Sequence, residues 1–188
     1  MKVFDFDNTL YHGESAIDFV LYLMKKNKKI ILWVPRILFG LMQYKLCLIS
    51  KEEIINQTND FMKSVIKDRK EVEDTVAEFW QKYSKDLNLE LIKQIEEEDA
   101  IITAGPSFLI EHIKDKLGTS NLMCSDVDLE KREVLNLNFG ENKVKCYKER
   151  YGEKSIDSFY TDSYNDKAMM DISKSVYLVK GKKIKKIK

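Results

Sequence analysis

Two carboxylates separated by a single residue follow the first apolar run of the chain. Val3 and Phe4 predict a short buried strand, and Asp5-Phe6-Asp7-Asn8-Thr9-Leu10 follows at once. Because ligands of α/β proteins bind at the carboxyl ends of the strands, both acids are predicted to face a site. Like charges this close repel each other unless a cation or a proton offsets them. An isolated Asp-x-Asp is common on surfaces, so the pair predicts a catalytic site only together with the segments that follow it.

Three later segments also place polar side chains where a predicted strand ends or a predicted helix begins. A hydroxyl follows an apolar run in Ile101-Ile102-Thr103-Ala104-Gly105. A lysine lies at the start of a predicted helix in Gly140-Glu141-Asn142-Lys143. Two acids separated by three residues follow a predicted strand in Asp162-Ser163-Tyr164-Asn165-Asp166.

In this order, the four segments resemble the four motifs of the haloacid dehalogenase (HAD) superfamily of phosphatases. A helical insertion between the first and second motifs is similar to the first cap position of that family. Together with the Thr-Ala-Gly-Pro and Asp-Ser-Tyr-Asn-Asp strings, it resembles the phosphoserine-phosphatase-like branch. The sequence departs from the family pattern at Thr103, where Ser is commoner, but the hydroxyl is kept.

The resemblance implies a Mg²⁺-dependent phosphomonoester hydrolase that works through an aspartyl phosphate. Asp5 would be the nucleophile, Asp7 the general acid and base, and Lys143 a charged contact to the transferring phosphoryl group. The implied metal ligands are Asp5, Asp162 and the backbone carbonyl of Asp7, because Mg²⁺ prefers hard oxygen donors. Asp166 would orient Lys143 or a water molecule on the metal. The implied phosphate- or substrate-binding residues are Phe6, Thr103, Ala104, Gly105 and Glu14.

Each of these residues also has a plainer interpretation. Thr103 could be an ordinary hydroxyl at a strand end, and Asp166 a charge that favours the first turn of a helix. Glu14 could simply cap the first helix of the insertion. Lys143 competes with two neighbours on the same predicted helix, Lys145 and Lys148.

Three alternative functions stay open beside the hydrolase. The first is a phosphomutase or phosphotransferase of the same superfamily, which would use the same aspartyl phosphate. The second is a membrane-peripheral phosphatase that acts on lipid phosphates. A non-catalytic binding protein is the least favoured, because all four motifs are intact. Asp7 argues against dehalogenases and transport ATPases, which lack or replace the second acid.

The predicted fold is α/β: a Rossmann-like, doubly wound, mostly parallel sheet with an inserted all-α cap. Residues 1–14 and 98–188 are expected to form the discontinuous core, and residues 15–97 the cap. Within the cap, Ser50-Lys-Glu-Glu53 predicts a capping box that opens a helix. After it, strand-like runs at 100–103, 122–124, 134–137, 158–161 and 176–179 alternate with helical patterns, among them one helix that begins at Pro106 and that Gly118 ends. The lysine-rich end, residues 180–188, is expected to be a solvated tail or a further membrane contact.

Composition limits the partners and the compartment. The chain has 188 residues, of which 44% are hydrophobic, and a formal net charge of +1. These values exclude a disordered chain and argue against a dedicated nucleic-acid binder. Cys47, Cys124 and Cys146 lack any metal-binding spacing and predict free thiols in a reducing compartment. The absence of a signal-peptide pattern predicts a cytoplasmic protein.

Residues 25–49 form the most unusual stretch of the sequence. Lys25-Lys26-Asn27-Lys28-Lys29 precedes an apolar run that Pro35, Arg36, Gln43 and Lys45 interrupt. The favoured interpretation is a pair of cap helices that bury their apolar faces over the active site. The alternative is peripheral contact with the inner face of a membrane. The expected substrate is accordingly a small phosphorylated metabolite or a lipid phosphate, and the oligomeric state stays open.

Overall fold

A seven-stranded sheet forms the centre of the protein, in the order β4-β3-β2-β1-β5-β6-β7. The structure is a computed structural model that describes residues 1–46 and 48–188, without the side chains of Leu41 and Lys45. The predicted free thiol of Cys47 lies outside the described residues. The strands are β1 (Lys2–Phe4), β2 (Ala100–Pro106), β3 (Leu122–Asp128), β4 (Glu133–Asn136), β5 (Ile156–Thr161), β6 (Ser173–Lys180) and β7 (Lys183–Lys186).

The five inner strands are parallel, and the two edge strands β4 and β7 run antiparallel to their neighbours. Apolar residues in the inner strands alternate between the two faces of the sheet, as the period of two requires. Phe4 and Ile101 join one buried cluster, whereas Val3 and Ile102 join the other. Both faces are therefore covered, which confirms the predicted doubly wound α/β fold.

In the described part of the segment between β1 and β2, which is the range predicted as the cap, there are five α-helices. They are α1 (Ser15–Lys26), α2 (Val34–Lys45), α3 (Lys51–Val65), α4 (Arg69–Tyr83) and α5 (Leu89–Ile92), with 3₁₀ turns at Lys28–Leu32 and Ser84–Asp86. The predicted capping box is present, because the Ser50 hydroxyl accepts from the Glu53 N–H and the Glu53 carboxylate accepts from the Ser50 N–H. Among the described residues, no helix is both long enough and apolar enough to span a membrane.

The remaining helices connect the strands of the sheet. They are α6 (Ser107–Ile110), which continues as a 3₁₀ helix over Glu111–Lys116, α7 (Glu141–Tyr151), and α8 (Lys167–Ile172), which follows a 3₁₀ turn at Tyr164–Asp166. Residues of α7 and α8 pack in the same cluster as Val3, whereas α6 packs in the cluster of Phe4 together with the helices that precede β2.

Three details differ from the sequence-based expectation. Strand β2 does not stop before Ala104 but continues to Pro106, because its register with β3 shifts there and Pro106 pairs with Ser125. The predicted continuous helix after Pro106 instead divides into α6 and a 3₁₀ segment. The lysine-rich end was expected to be a solvated tail or a membrane contact, but β7 pairs along β6 through backbone hydrogen bonds that side-chain patterns do not reveal.

Trp80 of α4 connects the inserted helices to the core. Its indole N–H donates to the Leu109 carbonyl at 2.7 Å in a buried position. Tyr11 and Phe6 pack edge-on against the same ring, with centroids 5.6 and 6.2 Å away. This contact fixes α4 beside the loop that carries the two N-terminal acids.

Candidate active site

The four sequence segments meet at the carboxyl ends of the central strands. Asp5 and Asp7 follow β1, Ala104 and Gly105 end β2, and Asp162 follows β5. Their side chains or backbone atoms line one cavity of about 670 Å³. Its polar end is lined by Asp5, Asp7, Glu14, Ala104, Gly105, Ser125, Lys143, Asp162, Ser163, Asn165 and Asp166.

Lys143 lies between two carboxylates at the bottom of this polar end. Its Nζ is 2.8 Å from Asp5 Oδ1 and 2.8 Å from Asp166 Oδ1, and its side chain is 4% exposed. The Thr161 hydroxyl donates to the second oxygen of Asp166 at 2.9 Å. Helix α7 begins after Gly140, whose φ of +58° favours glycine, and this turn directs the first helical residues toward the sheet. Lys143 thus occupies the predicted position, while Lys145 is 73% exposed.

Charge and burial oppose each other in this cluster. Burial raises the pKa of Asp5, and Lys143 lowers it, while the charges of Asp166 and Asp7 raise it further. Burial lowers the pKa of Lys143, but Asp5 and Asp166 together raise it above its usual value. Lys143 therefore stays an ammonium ion, and more carboxyl groups surround it than one ammonium ion can pair with.

Asp7 lies at the N-terminus of α1. Its Oδ1 accepts from the backbone N–H of Ser15 at 2.7 Å, which satisfies one of the unpaired donors of that helix. Burial raises the pKa of Asp7 to about 6, although the contact with Ser15 opposes the shift. A carboxyl group with this pKa can hold or release a proton near neutral pH, as a general acid and base must.

Glu14 and Asp162 are half-buried and line the same polar end. Glu14 is the N-cap residue of α1 but makes no side-chain capping hydrogen bond, and its Oε1 accepts from Asn8 Nδ2 at 3.1 Å. Burial raises the pKa of Asp162, with Lys180 lowering it and Glu14 raising it. The two acids are therefore close enough to influence each other.

Two predicted phosphate-binding side chains do not line the cavity. Thr103 is fully buried, and its Oγ accepts from the Gly105 N–H at 2.9 Å, so it shapes the backbone turn. The ring of Phe6 packs against Tyr11 and Trp80. Any contact from Phe6 to a ligand in this cavity would have to come from its backbone.

Sequence reasoning missed the residues that hold this edge of the sheet together. Asn138 Nδ2 donates to the carbonyls of Met123 and Thr103, at 2.8 and 3.2 Å, and its N–H donates to Ser125 Oγ. Ser125 in turn donates to the Ala104 carbonyl at 2.8 Å. The only sequence signal was a polar residue just before Phe139-Gly140, which by itself does not distinguish a buried amide from a loop residue.

The donor set suits a hard divalent cation. Among the described residues, no three His, Cys, Asp or Glu side chains converge as a metal site. The expected ligand set needs only two carboxylates, Asp5 and Asp162, because its third donor is the backbone carbonyl of Asp7. All three residues line the polar end of the cavity. Among the described side chains there, the buried carboxyl groups of Asp5 and Asp166 outnumber the one buried ammonium, that of Lys143. An added cation would lower this excess of negative charge.

Comparison with known proteins identifies the family of this chain. The family model for haloacid dehalogenase-like hydrolases matches residues 3–171. A protein of unknown function from Bordetella pertussis has a similar structure, with a TM-score of 0.76 and 15% identity over 94% of this chain and 87% of its own. No match was found among curated protein sequences.

Two further solved structures share the fold at low identity. A phosphoserine phosphohydrolase-like protein from Francisella tularensis is 20% identical, with a TM-score of 0.61 over 94% of this chain and 86% of that chain. A phosphoserine phosphatase, solved as a phospho-aspartyl intermediate analogue, is 17% identical, with a TM-score of 0.54 over 93% and 83% of the two chains.

Proposed function

Since the chain belongs to the haloacid dehalogenase-like hydrolase family, we propose that it is a Mg²⁺-dependent phosphomonoester hydrolase that works through an aspartyl phosphate. The observation that carries the proposal is the buried Asp5–Lys143–Asp166 cluster, which opens with Asp7 onto one cavity. An ammonium ion beside the nucleophile gives a phosphate dianion a binding partner in a site that otherwise repels it.

In the first half-reaction, an Asp5 carboxylate oxygen attacks phosphorus and the bond from phosphorus to the leaving oxygen breaks. Asp7 transfers its proton to that leaving oxygen, and the alcohol departs. Lys143 donates hydrogen bonds to the phosphoryl oxygens as their charge is redistributed. Ala104 and Gly105 of β2 line the same cavity and would border the phosphoryl group, although the Gly105 N–H already donates to Thr103 Oγ.

In the second half-reaction, water attacks phosphorus and the bond to Asp5 breaks, which releases inorganic phosphate. Asp7 now accepts the proton from water, so both carboxyl groups return to their starting states. Asp166, held by Thr161, keeps Lys143 in place throughout.

Asp5, Asp162 and the Asp7 carbonyl would hold Mg²⁺. The ion supplies positive charge that offsets the repulsion between the carboxylates and the substrate dianion. Asp162 is the ligand contributed by the loop after β5.

The test is release of inorganic phosphate from p-nitrophenyl phosphate with and without Mg²⁺. We expect turnover that stops with excess chelator and returns with Mg²⁺. Undiminished turnover in chelator would contradict the metal assignment. Transfer of phosphate to an added alcohol in preference to water would instead favour a phosphotransferase.

A further inference from the structure

The cavity that begins at the catalytic acids continues far into the inserted helices. Its volume of about 670 Å³ falls in the range of about 300–1,000 Å³ that accommodates ligands much larger than a phosphoryl group. Beyond the acids, most of its wall is apolar. The apolar lining residues of α1 to α4 include Ile17, Val20, Val34, Ile54, Phe61 and Val72. The polar exceptions among these helices and their connections are Lys26, Asn27, Thr58, Lys67, Glu71 and Thr75.

The apolar part of the cavity reaches the surface at α2. Leu38, Met42 and Leu46 line the cavity and are nevertheless 40, 49 and 60% exposed. They are accompanied by exposed apolar residues that do not line it, namely Ile31, Leu32, Phe39 and Leu48. One cavity therefore connects the acids after β1 with an exposed apolar face of the inserted helices.

We propose that the substrate is a phosphate monoester of a long apolar chain, whose chain occupies this cavity while its phosphate meets Asp5 and Lys143. The proposal rests on the proposed function and names the class of its leaving group. A small polar leaving group would leave the apolar wall in contact with water and would gain nothing from it. An apolar chain gains free energy with each methylene that it removes from water.

Such a substrate could come from a lipid surface or from solution. Lys25, Lys28 and Lys29 are exposed directly before the apolar face and suit an anionic surface. Both sources share the same chemistry, so the experiment must separate them.

The first measurement is kcat/KM for straight-chain alkyl phosphates from ethyl to dodecyl, all below their micelle-forming concentrations. Burial of each added methylene predicts a rise of about two- to fourfold until the cavity is filled. Hydrolysis of p-nitrophenyl phosphate in the same preparation reports the proposed function alone. If that activity is present but kcat/KM does not depend on chain length, the apolar-chain proposal is wrong while the proposed function stands.

A binding measurement covers the case in which no phosphate ester is hydrolysed. Calorimetry with alkyl phosphonates, which cannot be hydrolysed, measures the contribution of the alkyl chain to the binding free energy. Affinity that rises with chain length supports the assignment of this cavity to an apolar chain, whether or not hydrolysis is detected. Affinity that is independent of chain length overturns it.

Variants at the cavity opening provide a matched comparison. Leu38→Asp and Met42→Asp place a charge where the cavity meets solvent, and both sites are exposed enough to tolerate it. Phe39→Asp changes an exposed neighbour that is outside the lining. We expect the first two to lower kcat/KM for dodecyl phosphate at least tenfold, and by a larger factor than for ethyl phosphate, whereas Phe39→Asp leaves both unchanged. Equal effects of all three variants on the soluble series would contradict the assigned opening.

Vesicles that contain a phosphate-monoester lipid separate the two sources. If the chain is taken from a surface, Phe39→Asp and replacement of Lys25, Lys28 and Lys29 by Gln will lower activity on vesicles, and added salt will do the same. If the chain is taken from solution, these changes will have no effect, and the chain-length dependence will persist.

Discussion

At the scale of single residues, the main feature of the candidate site is the balance of charge around Lys143. Its ammonium ion is almost fully buried and contacts two carboxylates at the same distance of 2.8 Å. A buried charge without a partner costs several kcal/mol, so each member of such a cluster depends on the others. The cluster is therefore sensitive to any substitution that changes its net charge.

Lys143→Ala should reduce turnover by at least about a hundredfold, because a preorganised charge in a water-poor site is worth several kcal/mol in the transition state. Steady-state kinetics with p-nitrophenyl phosphate measures the loss. Lys145→Ala is the matched control, since its side chain is 73% exposed on the same helix. A larger effect from Lys145→Ala or Lys148→Ala would show that the third motif has been placed in the wrong register.

Asp7→Asn should harm substrates with poor leaving groups most. An alkoxide would need the proton from Asp7, whereas p-nitrophenolate leaves without it. The loss in kcat/KM, which reports the first half-reaction alone, should therefore approach about 10²–10⁴-fold only for alkyl phosphates. The pKa of Asp7 is raised to about 6 by burial, and the acid form therefore declines as the pH rises through that value. In the wild type, kcat/KM for alkyl phosphates should fall above this pH more steeply than for p-nitrophenyl phosphate. Equal losses for both substrates in the Asn variant would contradict the acid role.

At this scale, sequence patterns predicted most residues that line the candidate site, and the exceptions have a physical cause. Asp5, Lys143 and Asp162 lie near the ends of strands or the start of a helix, so the sequence pattern predicts that they face a site. Ser125 and Asn138 contribute through hydrogen bonds to carbonyls of other strands, and such partners are fixed only once the chain has folded. Thr103 was expected at the phosphate, but its hydroxyl contacts the Gly105 N–H.

At the scale of elements, the indole of Trp80 connects the inserted helices to the core. Helices such as α4 could be predicted from the 3.6-residue periodicity of their apolar residues. The inner strands could be predicted from their apolar runs. Strand β7 was not readable, because its lysines are all exposed and its stability comes from backbone pairing with β6. The partner of Trp80, the Leu109 carbonyl, was also invisible in the sequence.

Trp80→Phe should lower the free energy of unfolding by about 1–3 kcal/mol, because the buried Leu109 carbonyl loses its donor. Urea denaturation measures the change. Trp33→Phe is the control: this ring is half-buried against Phe61, and within residues 1–46 and 48–188 no hydrogen bond of its indole is found. Equal destabilisation by both substitutions would mean that ring size, and not the hydrogen bond, matters at position 80.

At the scale of the whole molecule, the site joins parts of the chain that are far apart in sequence. Asp5 and Lys143 are separated by 138 positions, and the proposed metal ligand Asp162 lies still further along. A ligand that binds only this folded arrangement stabilises the entire protein. Metal binding should therefore be visible in the global unfolding transition.

Mg²⁺ should raise the midpoint of thermal unfolding in a concentration-dependent manner, and Asp162→Asn should weaken this response. Differential scanning calorimetry without substrate measures both. Asp171→Asn is a suitable control, because Asp171 is an exposed acid that pairs with Lys167 away from the cavity. An Asp162 variant that responds to Mg²⁺ as fully as the wild type would remove this residue from the proposed ligand set.

The central claim is that phosphate is transferred to Asp5, and trapping the phosphoenzyme tests it most directly. The Asp7→Asn variant is mixed with ³²P-labelled p-nitrophenyl phosphate, whose leaving group does not need the proton of Asp7, and with Mg²⁺. The mixture is quenched in acid, and the labelled residue is mapped by mass spectrometry after proteolysis. Because water is activated poorly without Asp7, we expect label to accumulate on Asp5 and to be absent from Asp5→Asn enzyme that folds normally by circular dichroism. Inorganic phosphate released by Asp5→Asn at the wild-type rate would contradict the account.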